Sequence, residues 1–168
     1  NKFFSTVYAE LYSILFTKFE VMQTLLDENY SSFLDKFETI EYTSPEEDYD
    51  AFCRINKEND KRRALSMFYL NLYCIGVLPI EKIEHLLVQI MNKLLETIQL
   101  PDKAAHVEEY TENIGILYQH EMEYNEKLTL INEKNIRDTI LFLANTKNKT
   151  FPSLTSKCIF KYMDICDM

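Results

Sequence analysis

The stretch PIEKIEHLLVQIMNKLLETIQL, residues 79–100, decides the fold class of this chain. Its apolar residues recur every three or four positions, which is the spacing of one face of an α-helix. They are Ile80, Ile83, Leu87, Ile90, Leu94 and Ile98, with Leu86, Met91 and Leu95 widening the stripe. Pro79 opens the stretch and Pro101 ends it, at positions where a helix tolerates proline. The stretch therefore predicts an amphipathic helix that packs its apolar side into a core.

Similar spacing predicts helices along the rest of the chain. The expected helices cover about 3–17, 20–37, a segment starting near 45, 59–77, 80–100, 103–121, part of 125–145, and 155 to the end. The 168 residues include only two glycines and four prolines, too few turn formers for a many-stranded sheet or a Gly-rich phosphate loop. We therefore predict an all-α chain of seven or eight helices, in which short turns make sequential helices pack antiparallel.

Three local signals predict helix ends. Ser44, Pro45 and Glu47 form a capping box pattern, which predicts a helix starting near residue 45. Gly76 stands where a C-terminal cap belongs, and Asp102 is suited to cap the helix from about 103.

The net charge of −9 makes nonspecific nucleic-acid binding by the whole surface an unfavourable hypothesis, since phosphate backbones are bound by Lys and Arg. A basic protein partner fits the charge better. Acidic clusters at 46–50, 106–112 and 120–126 are either solvated helix faces or a docking surface for such a partner. One local exception is the basic run of Arg54, Lys57, Lys61, Arg62 and Arg63. The chain has no apolar window long enough to span a membrane.

The sequence offers no pattern typical of catalysis or metal binding. His85, His106 and His120 lack the spacing of a helical zinc site, and no cysteine lies near them in the sequence. The cysteines, at positions 53, 74, 158 and 166, form no C-x-x-C pair and have apolar neighbours. We expect buried, reduced thiols, no metal, no cofactor and no enzymatic activity.

Four collinear segments carry a family resemblance. FSTVYAEL (4–11) resembles the F-S-x-x-Y-A-x-L/M segment of the middle domain of eukaryotic translation initiation factor 4G. DKRRALSMFYLNLYCIGVLP (60–79) is similar to that family's basic-then-apolar helix, and Ile114-Gly115 matches an isoleucine–glycine pair in its next repeat. SKCIFKYMDICDM (156–168) resembles a family helix through Ser156, Lys157, Phe160, Asp164 and Asp167.

The resemblance also has departures. The family's helix pair before F-S-x-x-Y-A is absent, and TSPEEDYDAFCRINKEN (43–59) replaces a longer charged insertion. Arginines of the family's last helix are Lys157 and Ile159 here. The chain therefore resembles a divergent member, a fragment without the family's first helix pair and its C-terminal parts. The excess of lysine over arginine indicates an AT-rich genome, which points to a large DNA virus.

The resemblance implies a fold and a function. It implies one HEAT-repeat α-solenoid domain over 1–168, and a cytoplasmic scaffold (host cytoplasm if the source is viral) that holds a DEAD-box RNA helicase of the initiation factor 4A type. Such a scaffold favours the helicase's active arrangement by binding it better than the open one. It also implies mRNA as a weaker partner and a cap-binding protein reached through segments outside this chain.

The resemblance and the charge pattern together nominate contact residues. For the helicase they are Asp102, Glu108, Glu109, Glu112, Asp164 and Asp167. Lys61, Arg62 and Arg63 are candidates for RNA contact. Glu108 and Glu112 are four residues apart and should share one helical face, with Val107, Tyr110 and Ile114 pointing into the core.

Three alternatives stay open. Related HEAT scaffolds serve mRNA splicing, decay or nuclear cap binding, and a fold does not separate such functions. A helical-bundle module of the death-regulator type would instead bind an amphipathic peptide in an apolar groove. An enzyme with a buried Cys–His site is the third, and it predicts a fast-reacting thiol.

Overall fold

The structure, a computed structural model, describes residues 4–118 and 130–167. Within these ranges the chain forms seven α-helices, one 3-10 helix (Leu34–Phe37) and no strand. The α-helices are α1 (Ser5–Lys18), α2 (Val21–Phe33), α3 (Tyr49–Cys74), α4 (Ile80–Thr97), α5 (Ala104–Leu117), α6 (Ile136–Ala144) and α7 (Ser156–Cys166). The all-α prediction is confirmed, whereas the solenoid of stacked antiparallel pairs stays a prediction. None of the helices in the described ranges has the length and apolar character needed to cross a bilayer.

The chain divides into two compact units. Unit 1 is Asn1–Ile83 and unit 2 is Glu84–Met168, so the division falls inside α4. The expectation of a single HEAT-type domain over 1–168 stays a prediction.

In unit 1, α1 packs against α3 and α2 through its small residues. Ser5 and Ala9 are buried, and the side-chain amide of Asn71 donates a hydrogen bond of 2.9 Å to the Ser5 hydroxyl. The Tyr12 hydroxyl donates to the Met22 carbonyl at 2.6 Å and so fixes the turn between α1 and α2. Close approach of two helices requires small side chains at the contact, which explains why Ser5 and Ala9 face inward.

The opposite side of α1 is apolar and exposed. Its large residues each expose between 52% and 58% of their surface: Phe4, Val7, Tyr8, Leu11 and Ile14.

The start of α3 differs from the prediction. The capping box forms, since the Glu47 carboxylate accepts from the Ser44 N–H at 3.2 Å and the Ser44 hydroxyl accepts from the Glu47 N–H at 3.3 Å. However, residues 45–47 make only a turn. The helix begins at Tyr49, where Asp48 accepts from the Ala51 N–H at 2.9 Å. It then runs without interruption, so the helices predicted near 45 and over 59–77 are a single helix of 26 residues.

Gly76 ends this helix as the sequence predicted. Its φ of 75° is left-handed, and its N–H donates to the Tyr73 carbonyl at 2.9 Å. The Val77 N–H donates to the Leu72 carbonyl, also at 2.9 Å. These two bonds form a Schellman motif, which satisfies carbonyls that the helix end would leave unpaired.

Unit 2 is built on the buried stripe of α4 and on α7, which packs against both α5 and α6. Thr155 caps α7 by accepting from the Cys158 N–H at 3.4 Å, and the helix begins at Ser156, close to the predicted start. Tyr162 is fully buried, and its hydroxyl lies 3.1 Å from the Thr111 hydroxyl of α5. Gly115 faces α7, where a Cβ would lie 2.7 Å from Cε of Lys161, the movable end of that side chain.

The start of α5 is not capped by Asp102, which corrects the prediction. Asp102 has a φ of 58°, and the N-cap residue is Lys103, which makes no side-chain capping bond. The preceding turn is held instead by Ser153. The Ser153 hydroxyl accepts from the Lys103 N–H at 2.9 Å and donates to the Leu100 carbonyl at 2.5 Å.

Two predicted helices extend outside the described residues. The helix predicted over 103–121 is α5 up to Leu117, and residues 119–121 lie outside the described range. The helix predicted within 125–145 is α6, whose Asn135 cap accepts from the Asp138 N–H at 2.7 Å. The acidic cluster at 120–126 also lies outside the described residues.

Replacing Gly76 by alanine should destabilise the fold, whereas replacing Gly115 by alanine should stabilise it. Gly76→Ala forces a Cβ into a left-handed conformation and should lower the free energy of unfolding by about 1 kcal/mol. Gly115→Ala meets only the movable end of Lys161, while alanine is the better helix former, so we expect a gain of about 0.5 kcal/mol. Urea unfolding followed by circular dichroism measures both. A larger loss for Gly115→Ala than for Gly76→Ala would contradict this account.

Alkaline pH should destabilise the fold through its buried tyrosines. Burial, and then repulsion from a Tyr12 anion, raises the pKa of Tyr69 to about 12, and burial raises the pKa of Tyr162 further. Above pH 10 the unfolded chain loses these protons and the native chain keeps them, so the free energy of unfolding should fall between about pH 10 and 12. Urea unfolding midpoints measured across this pH range test the expected fall in stability. Tyr69→Phe should lessen the fall, and Tyr42→Phe, at an exposed ring, should not; equal slopes in both variants would contradict the assignment.

Candidate functional site

The predicted acidic surface of unit 2 is centred on α5 and α7. Glu108 and Glu112 do share one face, but this face meets lysines of α7. The Lys157 ammonium lies 3.1 Å from Oε2 of Glu108 and 3.9 Å from Oε1 of Glu112. Lys161 lies 4.0 Å from Oε2 of Glu112, and the Thr155 hydroxyl donates to Oε1 of Glu108 at 3.0 Å. The two glutamate charges are therefore largely compensated inside the unit.

Glu109 does not belong to any docking surface, which corrects the prediction. Glu109 is only 1% exposed, and its Oε1 accepts a hydrogen bond from the Asn113 side-chain amide at 2.9 Å. The same amide donates to the Glu109 carbonyl at 2.8 Å. A buried carboxylate needs such partners, and Glu109 stabilises α5 from within.

Three predicted acidic residues remain at the surface. Asp102 is exposed in the turn before α5, and Asp164 and Asp167 are exposed at the end of α7. The last turn of α7 contains no basic residue. Carboxylates at a helix C-terminus face the negative end of the dipole, at a cost of roughly 0.3–1 kcal/mol each when exposed. A positively charged partner bound there would relieve that cost.

The basic run on α3 divides into buried and exposed members. Arg62 is only 4% exposed. Its guanidinium donates from Nε to the Lys36 carbonyl at 3.0 Å and from Nη1 to Oδ1 of Asn59 at 2.7 Å. The guanidinium carbon lies 5.6 Å from the centre of the Phe37 ring. Arg62 therefore fastens the segment after α2 to α3 and is not placed to reach RNA from the surface. Lys61 is exposed beside Glu58, and Arg63 is half-buried. RNA contact by Lys61 and Arg63 stays a prediction.

The cysteines are not all buried, contrary to expectation. All four are free thiols, but only Cys158 is buried, while Cys53, Cys74 and Cys166 are exposed. Burial, and then the neighbouring Asp167 carboxylate, raises the pKa of Cys166. That direction is opposite to the one that activates a nucleophilic thiol. Among the described residues, no group of three acidic, histidine or cysteine side chains is arranged to hold a metal ion.

Sequence reasoning missed Lys157 and Lys161 as the partners of Glu108 and Glu112. The signal was available on α7, where the two lysines are four residues apart and so share one face. Which helix they face is decided by tertiary packing, because Lys157 and Glu108 are 49 residues apart in the sequence.

Removing the buried guanidinium should unfold unit 1 more readily. Arg62→Met leaves the Lys36 carbonyl and the Asn59 side chain without their donor, and we expect a loss of about 2–3 kcal/mol in the free energy of unfolding. Lys57→Met, at an exposed position on the same helix, is the control and should change it by less than about 0.5 kcal/mol. Urea denaturation compares the two. Similar small losses would show that Arg62 is not the fastening residue described here.

The comparisons with known proteins give no further identification. Neither the protein-family models, nor the curated proteins, nor the solved structures contain a match to this chain.

Proposed function

We propose that this chain is a noncatalytic HEAT-type scaffold, similar to the initiation factor 4G middle domain. In this proposal its helices continue as a solenoid of antiparallel pairs, it acts in the cytoplasm, and it holds a DEAD-box RNA helicase of the initiation factor 4A type. Binding the helicase's active arrangement more tightly than the open one would shift the equilibrium by the difference in binding free energy. A difference of about 1.4 kcal/mol corresponds to a tenfold shift.

The single observation that carries the proposal is the acidic end of α7. Asp164 and Asp167 are exposed at the negative end of the helix dipole, an arrangement that the isolated chain does not favour. Both residues also belong to the last of the four segments that resemble the family. A basic helicase surface is the kind of partner that compensates such a pair.

Two packing features support the family assignment. In the F-S-x-x-Y-A segment the small residues Ser5 and Ala9 are the buried ones, and they form the contact of α1 with α3. In the Ile-Gly segment, Ile114 is buried and Gly115 lies beside the Lys161 side chain of α7. A motif whose residues carry tertiary contacts is less easily explained by chance than one lying on a solvent face.

The structure leaves fewer candidate helicase-contact residues than the sequence indicated. Asp164, Asp167 and Asp102 present open carboxylates, Glu108 and Glu112 contribute a partly exposed rim already paired with lysines, and Glu109 is removed. The strongest test therefore addresses α7 and leaves the internal ion pairs of α5 intact.

Charge reversal at the end of α7 should weaken helicase binding. We expect the chain to bind purified initiation factor 4A helicase and to raise its RNA-stimulated ATPase rate. Asp164→Lys combined with Asp167→Lys should weaken binding roughly tenfold, since two attractive contacts become repulsive. Isothermal calorimetry and a steady-state ATPase assay measure the two effects.

The matched control carries the same change of net charge elsewhere. Glu28→Lys combined with Glu96→Lys alters two exposed glutamates outside the acidic clusters and should leave binding unchanged within about twofold. Circular dichroism confirms that helicity is kept in all variants. A folded wild-type chain that neither binds the helicase nor changes its ATPase rate would refute the proposed function.

A further inference from the structure

Unit 1 contains an open groove of about 1080 Å³. One wall is the middle of α3, from Arg54 to Phe68, and the other is formed by α1, by Lys36 of the 3-10 helix and by the segment after that helix. This volume is at the upper limit of small-molecule pockets, which span roughly 300–1,000 Å³. A longer, chain-like ligand fits such a groove better than a compact metabolite does.

The charge of the groove opposes that of the chain. Although the chain carries −9 overall, the groove is lined by six basic and only three acidic residues. The basic residues are Lys36, Arg54, Lys57, Lys61, Arg62 and Arg63, a third of the chain's 18 lysines and arginines. A cleft lined mainly by one sign of charge concentrates ligands of the opposite sign. The groove therefore selects an acidic ligand.

The exposed basic residues form a stripe along α3. Arg54, Lys57 and Lys61 are three and four residues apart, so they stand on one helical face. Arg54 pairs with Glu41 at 2.7 Å and Lys61 with Glu58, both at exposed positions where an ion pair contributes little. Lys57 forms no ion pair within the described ranges. Incoming carboxylates can thus contact this stripe at low cost.

The groove also offers apolar surface. Ile55, Leu65 and Phe68 line it from α3, and the half-exposed Tyr8 ring lines it from α1. Phe4 and Leu11 stand one helical turn to either side of Tyr8 and are equally exposed. An apolar side chain of a ligand could therefore be covered at the edge of the basic stripe.

We propose that this groove binds an acidic peptide segment of a partner protein, one that places an apolar anchor against Tyr8 and carboxylates against Lys57 and Lys61. A peptide is favoured over RNA by the composition of the lining. Glu58 and Asp60 interrupt the basic stripe, which suits the spaced carboxylates of a peptide better than an unbroken phosphate backbone, and the central Arg62 donates its hydrogen bonds inside the protein. This surface lies in unit 1 and is separate from the helicase surface proposed on α7.

The test is a selection with the full chain as bait. A random peptide library displayed on phage is selected against the wild-type protein, and the enriched peptides are synthesised with a fluorescent label for polarisation measurements. We expect an excess of Asp and Glu around a large apolar residue. Lys57→Glu combined with Lys61→Glu should weaken these peptides at least tenfold, and Tyr8→Ala roughly threefold or more.

A matched control separates the groove from general charge. Lys18→Glu combined with Lys147→Glu changes net charge by the same amount at exposed positions outside the groove and should leave affinity within about twofold. Circular dichroism verifies that every variant is folded. The proposal is overturned if no peptide is enriched, if enriched peptides lack acidic residues, or if the Lys57 and Lys61 reversals do not weaken them more than the control does.

Labelled oligouridylate tests the competing class of ligand. We expect weak binding that the Lys57 and Lys61 reversals reduce no more than the Lys18 and Lys147 reversals do. Tight oligouridylate binding that is lost only in the groove variant, and that displaces the peptides, would assign the groove to RNA and overturn the peptide proposal. Helicase binding through α7 does not depend on Lys57 or Lys61, so either proposal can fail alone.

Discussion

Burial of the apolar stripe of α4 is the interaction on which the rest of this chain depends. Seven of its side chains are at most 1% exposed: Ile83, Leu86, Leu87, Ile90, Met91, Leu94 and, just past the helix end, Ile98. At about 1.5–3 kcal/mol for each buried side chain, the stripe represents roughly 10–20 kcal/mol of favourable transfer free energy. That is as large as, or larger than, the net stability of most domains, which is about 5–15 kcal/mol. An arrangement that left the stripe exposed to water would lose this free energy.

Much of the fold was predictable because helical periodicity and end signals are local. The stripe of α4, the Gly76 end of α3 and the Thr155 start of α7 could all be read from neighbouring residues. The start of α3 could not, since two caps compete within five residues. The Ser44–Glu47 box forms around a turn, while Asp48, in an extended conformation, begins the helix.

The candidate surfaces were less predictable, because their chemistry depends on distant partners. Glu108 and Glu109 are adjacent in sequence, yet one reaches lysine and threonine side chains of the α7 region and the other is buried against Asn113. Arg62 and Lys61 differ in the same way, since one fills the interior and the other faces solvent. In each pair, a rotation of about 100° around the helix decides between a structural and a surface role. The packing of neighbouring helices decides which side of the helix is buried, and composition does not show it.

The unbroken α3 also gives unit 1 an element of fixed length. Its 26 residues, at about 1.5 Å each, make a rod of roughly 39 Å. A flexible segment with the same number of residues would have a shorter mean end-to-end distance, roughly 25–31 Å, and would fluctuate widely around it. The two ends of the helix, at Tyr49 and Cys74, are therefore kept at a nearly constant distance from each other. A ligand lying along the Arg54–Phe68 wall would therefore be held in fixed register with the Schellman turn at Gly76, which ends the same rigid helix.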